Sequence, residues 1–187
     1  HEVVGYVDDF NVGPDILGSF TQCLQTHPPG QFGVVMGIGY ANMAARWDAW
    51  QRVVSAGYAT PSLVHPKASL AATAQLGQGC LVMAGAVVDS RARTGDAVVL
   101  WPQACVNHDV QVGSNTFISP GGIVCGDSIV GSRSFVGAGA VVADHVTVPE
   151  GSFVKMLSRF PAGQAGRALL GNPATTSLPE PAVKAPA

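Results

Sequence analysis

The sequence predicts a mainly β protein, a triangular parallel β-solenoid behind a smaller α/β segment, and three observations carry that prediction. Between Ser62 and Leu157 an aliphatic residue recurs every six positions, glycine recurs every eighteen, and residues 1–61 follow neither period. A period of six suits neither an α-helix nor a free strand. It suits a coil of three short sides, each a strand followed by a corner.

Residues 1–61 read as part of an α/β layer. Val3-Val4-Gly5-Tyr6-Val7 has the texture of a short buried strand closed by Asp8-Asp9, and Val34 to Gly39 that of a second strand. From Tyr40 to Ala56, Met43, Trp47, Trp50 and Val54 recur at helical intervals, and Gly57 stops the helix.

Residues 62–157 are the informative part. Written in sixes from Ser62, the third position runs Val64, Leu70, Leu76, Val82, Val88 and onward to Val154, with Thr94 the one non-aliphatic residue among sixteen. The residue two earlier is usually small, as at Ala86, Ala104, Ser128 and Ala140, which suits a tight corner. Gly77, Gly95, Gly113 and Gly131 lie 18 apart, so three sides make one coil and the segment holds about five coils. Residues 158–187 form a third region, a short C-terminal segment around Arg167–Leu170 and a proline-rich tail expected to be flexible.

Composition removes several classes of function. Charged residues are 12% of the chain, against about 25% in an average domain. Hydrophobic residues are 47%, which excludes a disordered chain. The net charge of -2 offers no basic footprint for nucleic acid or an anionic membrane. No apolar run reaches the ~18 residues of a membrane span. Cys23, Cys80, Cys105 and Cys125 form no CxxC pair, which fits free thiols in a reducing compartment and a cytoplasmic location. His65, His108 and His145 are 43 and 37 residues apart, and neither interval fits the 18-residue column, so no metal site is expected.

The segments GYVDDF, ILGSF, VVMGIG, SLVHPKASL and VNHDVQVG, in that order, resemble the bacterial hexapeptide-repeat sugar acetyltransferases of the sialic acid O-acetyltransferase type. That family includes the nucleotide-sugar 4-amino N-acetyltransferases of bacillosamine and perosamine pathways. The resemblance covers roughly residues 3–154 and implies a left-handed β-helix, acetyl-CoA as co-substrate, a nucleotide-linked amino sugar as acceptor, and a homotrimer. It also implies a strand and Gly-rich loop ahead of Val3, so that the first βα unit is missing from this sequence. An O-acetyltransferase of a sialic-acid-like sugar, or a solenoid that only binds a sugar nucleotide, are the other readings.

The resemblance assigns residues. His108, in the NHD match, is the catalytic base, and Asp109 orients it. The solenoid column places Ser90 below His108 and Gly126 above it, so Gly126 should leave a notch where its N–H meets a thioester oxygen. Coenzyme A is expected along the later coils near Gly126, Gly137 and Gly139. Asp8 and Asp9 are expected to bind the nucleotide part of the acceptor, with Gly39 allowing close approach of the ligand to the backbone. Many relatives carry Asn at Trp101 and a second His at Phe117. Both replacements point to packing at a subunit contact. Relatives also place a segment like Gly171-Asn172-Pro173-Ala174 directly after the last coil, whereas here Lys155 to Leu170 intervenes.

Overall fold

The computed structural model describes residues 2–161. Its main body is a left-handed parallel β-helix with three flat sides. Side one stacks six two-residue strands, from Leu63–Val64 through Val99–Leu100 and Phe117–Ile118 to Phe153–Val154. Side two stacks six more, from Ser69–Leu70 through Cys105–Val106 and Ile123–Val124 to Arg159–Phe160. Side three stacks four, from Arg93–Thr94 to Thr147–Val148. Pairing is in register from coil to coil, as in Cys105 with Ile123 and Val106 with Val124. The last strand puts Phe160 in the same third position, so the repeat runs just past residue 157.

The aliphatic positions build the core. Val82, Val88, Leu100, Val106, Ile118, Val124, Val130, Val136 and Val142 are all at most 1% exposed. Val64 and Leu70, in the entrance coil, are 42% and 37% exposed because no coil lies below them. Thr94 is tolerated because its Oγ1 accepts from the Gly77 N–H at 3.3 Å and meets the Cys80 thiol at 3.4 Å. The small residues are not corner residues as expected. Ala86, Ala104, Ser128, Ser134 and Ala140 are fully buried, since a residue two places before the aliphatic one faces the same way, and the narrow interior has room only for a small one.

The corner itself is made by the sixth position. Arg91, Gln103, Asp109, Asn115 and Asp127 take φ between 55° and 62°, and Gly79, Gly85, Gly121 and Gly139 fill the same place elsewhere. The glycines spaced by 18 answer a different need. A Cβ at Gly113 would strike the Ser132 backbone in the next coil, so coils stack closely there only without a side chain.

The N-terminal segment departs from expectation in several ways. The first strand, β1, is only Tyr6–Val7, and it pairs in parallel with β2, Ile16–Gly18. It is not buried: Val3, Val4 and Tyr6 are 77%, 55% and 64% exposed, because nothing among the described residues packs on them. Helix α1, Phe20–Thr26, was not anticipated, although Ser19 and Gln22 form the capping box that announces it. Val34 to Gly39 is not a strand. It runs extended, with Gly33 bridged to Ala59 and the Val34 N–H donating to the Ala59 carbonyl, and then leaves any ladder.

Helix α2, Met43–Ser55, follows a short 3₁₀ turn at Tyr40–Asn42. Its buried face is Arg46, Trp50 and Val53, while Val54 is 42% exposed, so the inward stripe is rotated from the expected one. The cause is Arg46, an inward charged residue that a hydrophobic pattern cannot reveal. Its Nε donates to the Ile38 carbonyl at 2.9 Å, and its Nη1 donates to the Ala97 carbonyl at 2.9 Å and to Asn115 Oδ1. Its guanidinium lies 4.9 Å from the Phe117 ring centroid, and burial pulls its pKa down to about 10. Asn115 returns a bond to the Met43 carbonyl at 2.7 Å. These contacts seat α2 on side one of the solenoid. No helix among the described residues is long and apolar enough to cross a membrane. Arg167–Leu170 and the tail lie outside the described residues.

Candidate active site

His108 stands at the corner between sides two and three, just after the strand Cys105–Val106, with its side chain 51% exposed. Asp109 follows in the left-handed conformation, φ 60°. In a strand two adjacent side chains would point apart. The left-handed corner brings them together, and His108 Nδ1 lies 3.0 Å from Asp109 Oδ2.

Asp109 is held from a second direction by Arg91, one coil below. Arg91 Nε donates to Oδ1 and Nη2 to Oδ2, both at 2.6 Å. The Arg91 hydrogen bonds first, and the His108 contact second, hold the Asp109 carboxyl down to about 2. An ionised carboxylate only accepts hydrogen bonds. The 3.0 Å contact therefore requires His108 Nδ1 to donate, which leaves Nε2 with the lone pair in the neutral ring.

The ring lies over Gly126. An added Cβ there would be 2.5 Å from Cε1 and 2.6 Å from Nε2. The space above Gly126 is thus filled by the imidazole itself, where an open notch was expected. No hydrogen bond from the Gly126 N–H forms among the described residues, so that donor remains available. Asp127, the next residue in the Arg91–Asp109 column, has Oδ2 3.9 Å from both His108 Nδ1 and His145 Nδ1. His108, Asp109 and Asp127 offer ligand atoms within 4.8 Å of one another, yet Asp109 is already committed to Arg91.

Other expected site residues lie elsewhere. Gly137 and Gly139 are at the corner between sides one and two, a full side away from Gly126. Asp8 accepts from the Phe10 and Asn11 N–H groups at 2.8 and 3.0 Å, and so closes its own turn. Asp9 accepts from the Phe20 N–H at the start of α1 and from Arg52, at 2.8 and 3.2 Å. Gly39 lines a groove of about 200 Å³ with Met36, Met83, Trp101 and Phe117. Phe117 is 2% exposed and packs inside the chain, under Arg46 and edge-on to Tyr40 at 5.8 Å, so the expected subunit contact does not apply to it. Trp101 is 38% exposed on the groove wall. His65 is structural, its Nδ1 accepting from the Lys67 N–H at 3.0 Å.

Sequence reasoning missed Arg91. The signal was present, since Arg91 and Asp109 are 18 apart, opposite in charge and both at the sixth position.

A left-handed β-helix with a carboxylate-held imidazole at a corner is the arrangement that the resemblance to hexapeptide-repeat acyltransferases implies. Neither a protein-family model nor a curated protein matches the chain. Solved structures do. The acetyltransferase domain of PglB from Neisseria gonorrhoeae is 29% identical, with a TM-score of 0.77 over 83% of this chain and 77% of that one. For the same domain in complex with acetyl coenzyme A the identity is 30% and the TM-score 0.76, with 81% and 75% covered. PerB from Caulobacter crescentus, in complex with CoA and GDP-perosamine, shares the fold at 24% identity and a TM-score of 0.77, with 83% and 75% covered. The chain belongs to the bacterial hexapeptide-repeat sugar acetyltransferases.

Proposed function

We propose that the protein transfers an acetyl group from acetyl-CoA to the amino group of a nucleotide-linked amino sugar, with His108 as general base. The observation that carries this reading is the His108 ring, tied through Nδ1 to an ionised Asp109 and presenting Nε2 beside the unbonded Gly126 N–H. The acceptor nitrogen attacks the thioester carbonyl carbon and forms the C–N bond while Nε2 takes one of its protons. Charge moves to the carbonyl oxygen, where the Gly126 N–H donates to it. As the oxyanion collapses, the C–S bond breaks, the electron pair leaves on sulfur, and His108 returns the proton to the thiolate. Products are the N-acetyl sugar and CoA.

In this reading coenzyme A runs along the later coils near Gly137 and Gly139, and the nucleotide part of the acceptor lies near Asp8, Asp9 and the backbone at Gly39. Within one chain the Gly39–Trp101 groove and His108 occupy different edges of the prism, separated by side two. That separation, and the low charge of side two, whose outward row includes Val87, Cys105, Ile123 and Val141, support a homotrimer in which one subunit's groove faces the next subunit's base. Four free thiols and acetyl-CoA as donor fit a cytoplasmic setting.

Thiol release from acetyl-CoA, followed with a panel of nucleotide-linked amino sugars and sialic-acid-like sugars, tests the reading. Mass spectrometry then identifies an amide or an ester in the product. N-acetylation of an amino sugar is expected. Exclusive ester formation would establish an O-acetyltransferase instead, and no thiol release with any acceptor would leave only a binding solenoid. Light scattering tests the trimer, and a monomer at micromolar concentration would contradict it.

A further inference from the structure

We propose that Arg91 is a positioning residue of the acetyl transfer: by gripping both oxygens of Asp109 it fixes the carboxylate that holds the His108 proton on Nδ1 and the lone pair on Nε2. The inference rests on the reading of His108 as the base. Arg91, Asp109 and Asp127 occupy one corner column, each with φ between 57° and 60°, so their side chains leave the backbone in the same direction in successive coils. Arg91 is itself anchored below, where its N–H donates to Thr73 Oγ1 at 3.0 Å.

Asp109 Oδ2 is the shared atom. It accepts from Arg91 Nη2 at 2.6 Å and from His108 Nδ1 at 3.0 Å, while Oδ1 takes the second arm of the guanidinium. Two parallel bonds fix the carboxylate plane, which a single donor would leave free to turn. The His108 ring has other neighbours to choose from. Asp127 Oδ2 is 3.9 Å from Nδ1 and is shared with His145, and Asp89 lies one coil below near Ser90. With Asp109 loose, the ring is drawn toward Asp127 and its tautomer is no longer fixed. The Arg91 side chain is 64% exposed, so water screens the ion pair and its contribution to stability is small.

The test uses the full chain and its Arg91→Ala and Arg91→Lys variants. Long-range ¹H–¹⁵N correlation spectra of the histidine rings, taken at about pH 8 where an ordinary imidazole is neutral, report the tautomer without any turnover. The parent should show His108 protonated on Nδ1, Arg91→Ala a mixture of tautomers, and Arg91→Lys an intermediate pattern. In turnover, Arg91→Ala should lower kcat about tenfold with KM for acetyl-CoA unchanged, the size expected for a slightly misplaced group. Added to Asp109→Asn, Arg91→Ala should cost nothing more, because both act through one carboxylate. A parent tautomer preserved in Arg91→Ala, or losses that multiply in the double variant, would overturn the proposal. An inactive parent would defeat the assigned reaction, while the spectra still decide what Arg91 does.

Discussion

Substituting Gly126 by alanine should disable the site while sparing the fold. The backbone there does not lie in the left-handed region, so alanine meets no conformational penalty. The nearest obstacle is the imidazole, since the new Cβ would sit 2.5 Å from Cε1, 2.6 Å from Nε2 and 3.1 Å from Nδ1. Carbon contacts settle at about 3.5–4.0 Å, so the ring must retreat by about 1 Å. His108 is half exposed and has solvent to move into, which keeps the change cheap for stability. A base displaced by about 1 Å costs on the order of 10²-fold in rate. The assay is thiol release from acetyl-CoA at saturating acceptor, paired with a thermal melt of the same preparation. A melting temperature close to the parent's with turnover down by that factor is the expected result. Parent-like turnover in a folded Gly126→Ala protein would refute the placement of the ring over Gly126 as the working geometry.

Val106→Asp should prevent folding, because Val106 is fully buried between Val88 and Val124 and an unpaired carboxylate there costs several kcal/mol; a parent-like melt would contradict the assigned phase of the repeat. Asp109 should remain ionised through the ordinary carboxyl range. Its folded pKa is depressed from 3.8 to about 2, so the stability its contacts contribute is present above the unfolded value and is lost as pH falls through about 2. A carboxyl ¹³C titration of Asp109 with a midpoint near 3.8 would show that the Arg91 clamp is absent in solution.

The solenoid was legible because its rule is one-dimensional. A six-residue period states which residue faces inward, and every coil repeats the statement from Val64 to Val154. The corner rule was equally present but less conspicuous, since Arg91, Asp109, Asn115 and Asp127 share the sixth position with glycines and differ from them in every other respect. The N-terminal segment was harder to read. Its strand Tyr6–Val7 is two residues long and exposed, and Val34 to Gly39 looks strand-like because it is apolar, although no neighbouring strand pairs with it.

The candidate site divides along the same line. His108 and Asp109 were singled out by the resemblance carried in the NHD match, and Gly126 by the 18-residue stacking that sets it beside His108. Arg46 escaped because an inward arginine on α2 violates the hydrophobic pattern, and its partners Ala97 and Asn115 lie 51 and 69 residues away. The filling of the Gly126 notch by the His108 ring depends on a side-chain rotamer, which no spacing encodes.

The central claim is that His108 removes the acceptor proton, and His108→Ala tests it most directly. Turnover of acetyl-CoA with the best nucleotide-linked amino sugar should fall by about 10²–10⁴-fold, the usual worth of a positioned base. Binding of acetyl-CoA, measured by calorimetry on the same variant, should change little, because the proposed mechanism sets the ring against the reacting centre rather than the nucleotide. Parent-like kcat in a folded His108→Ala protein would contradict the account.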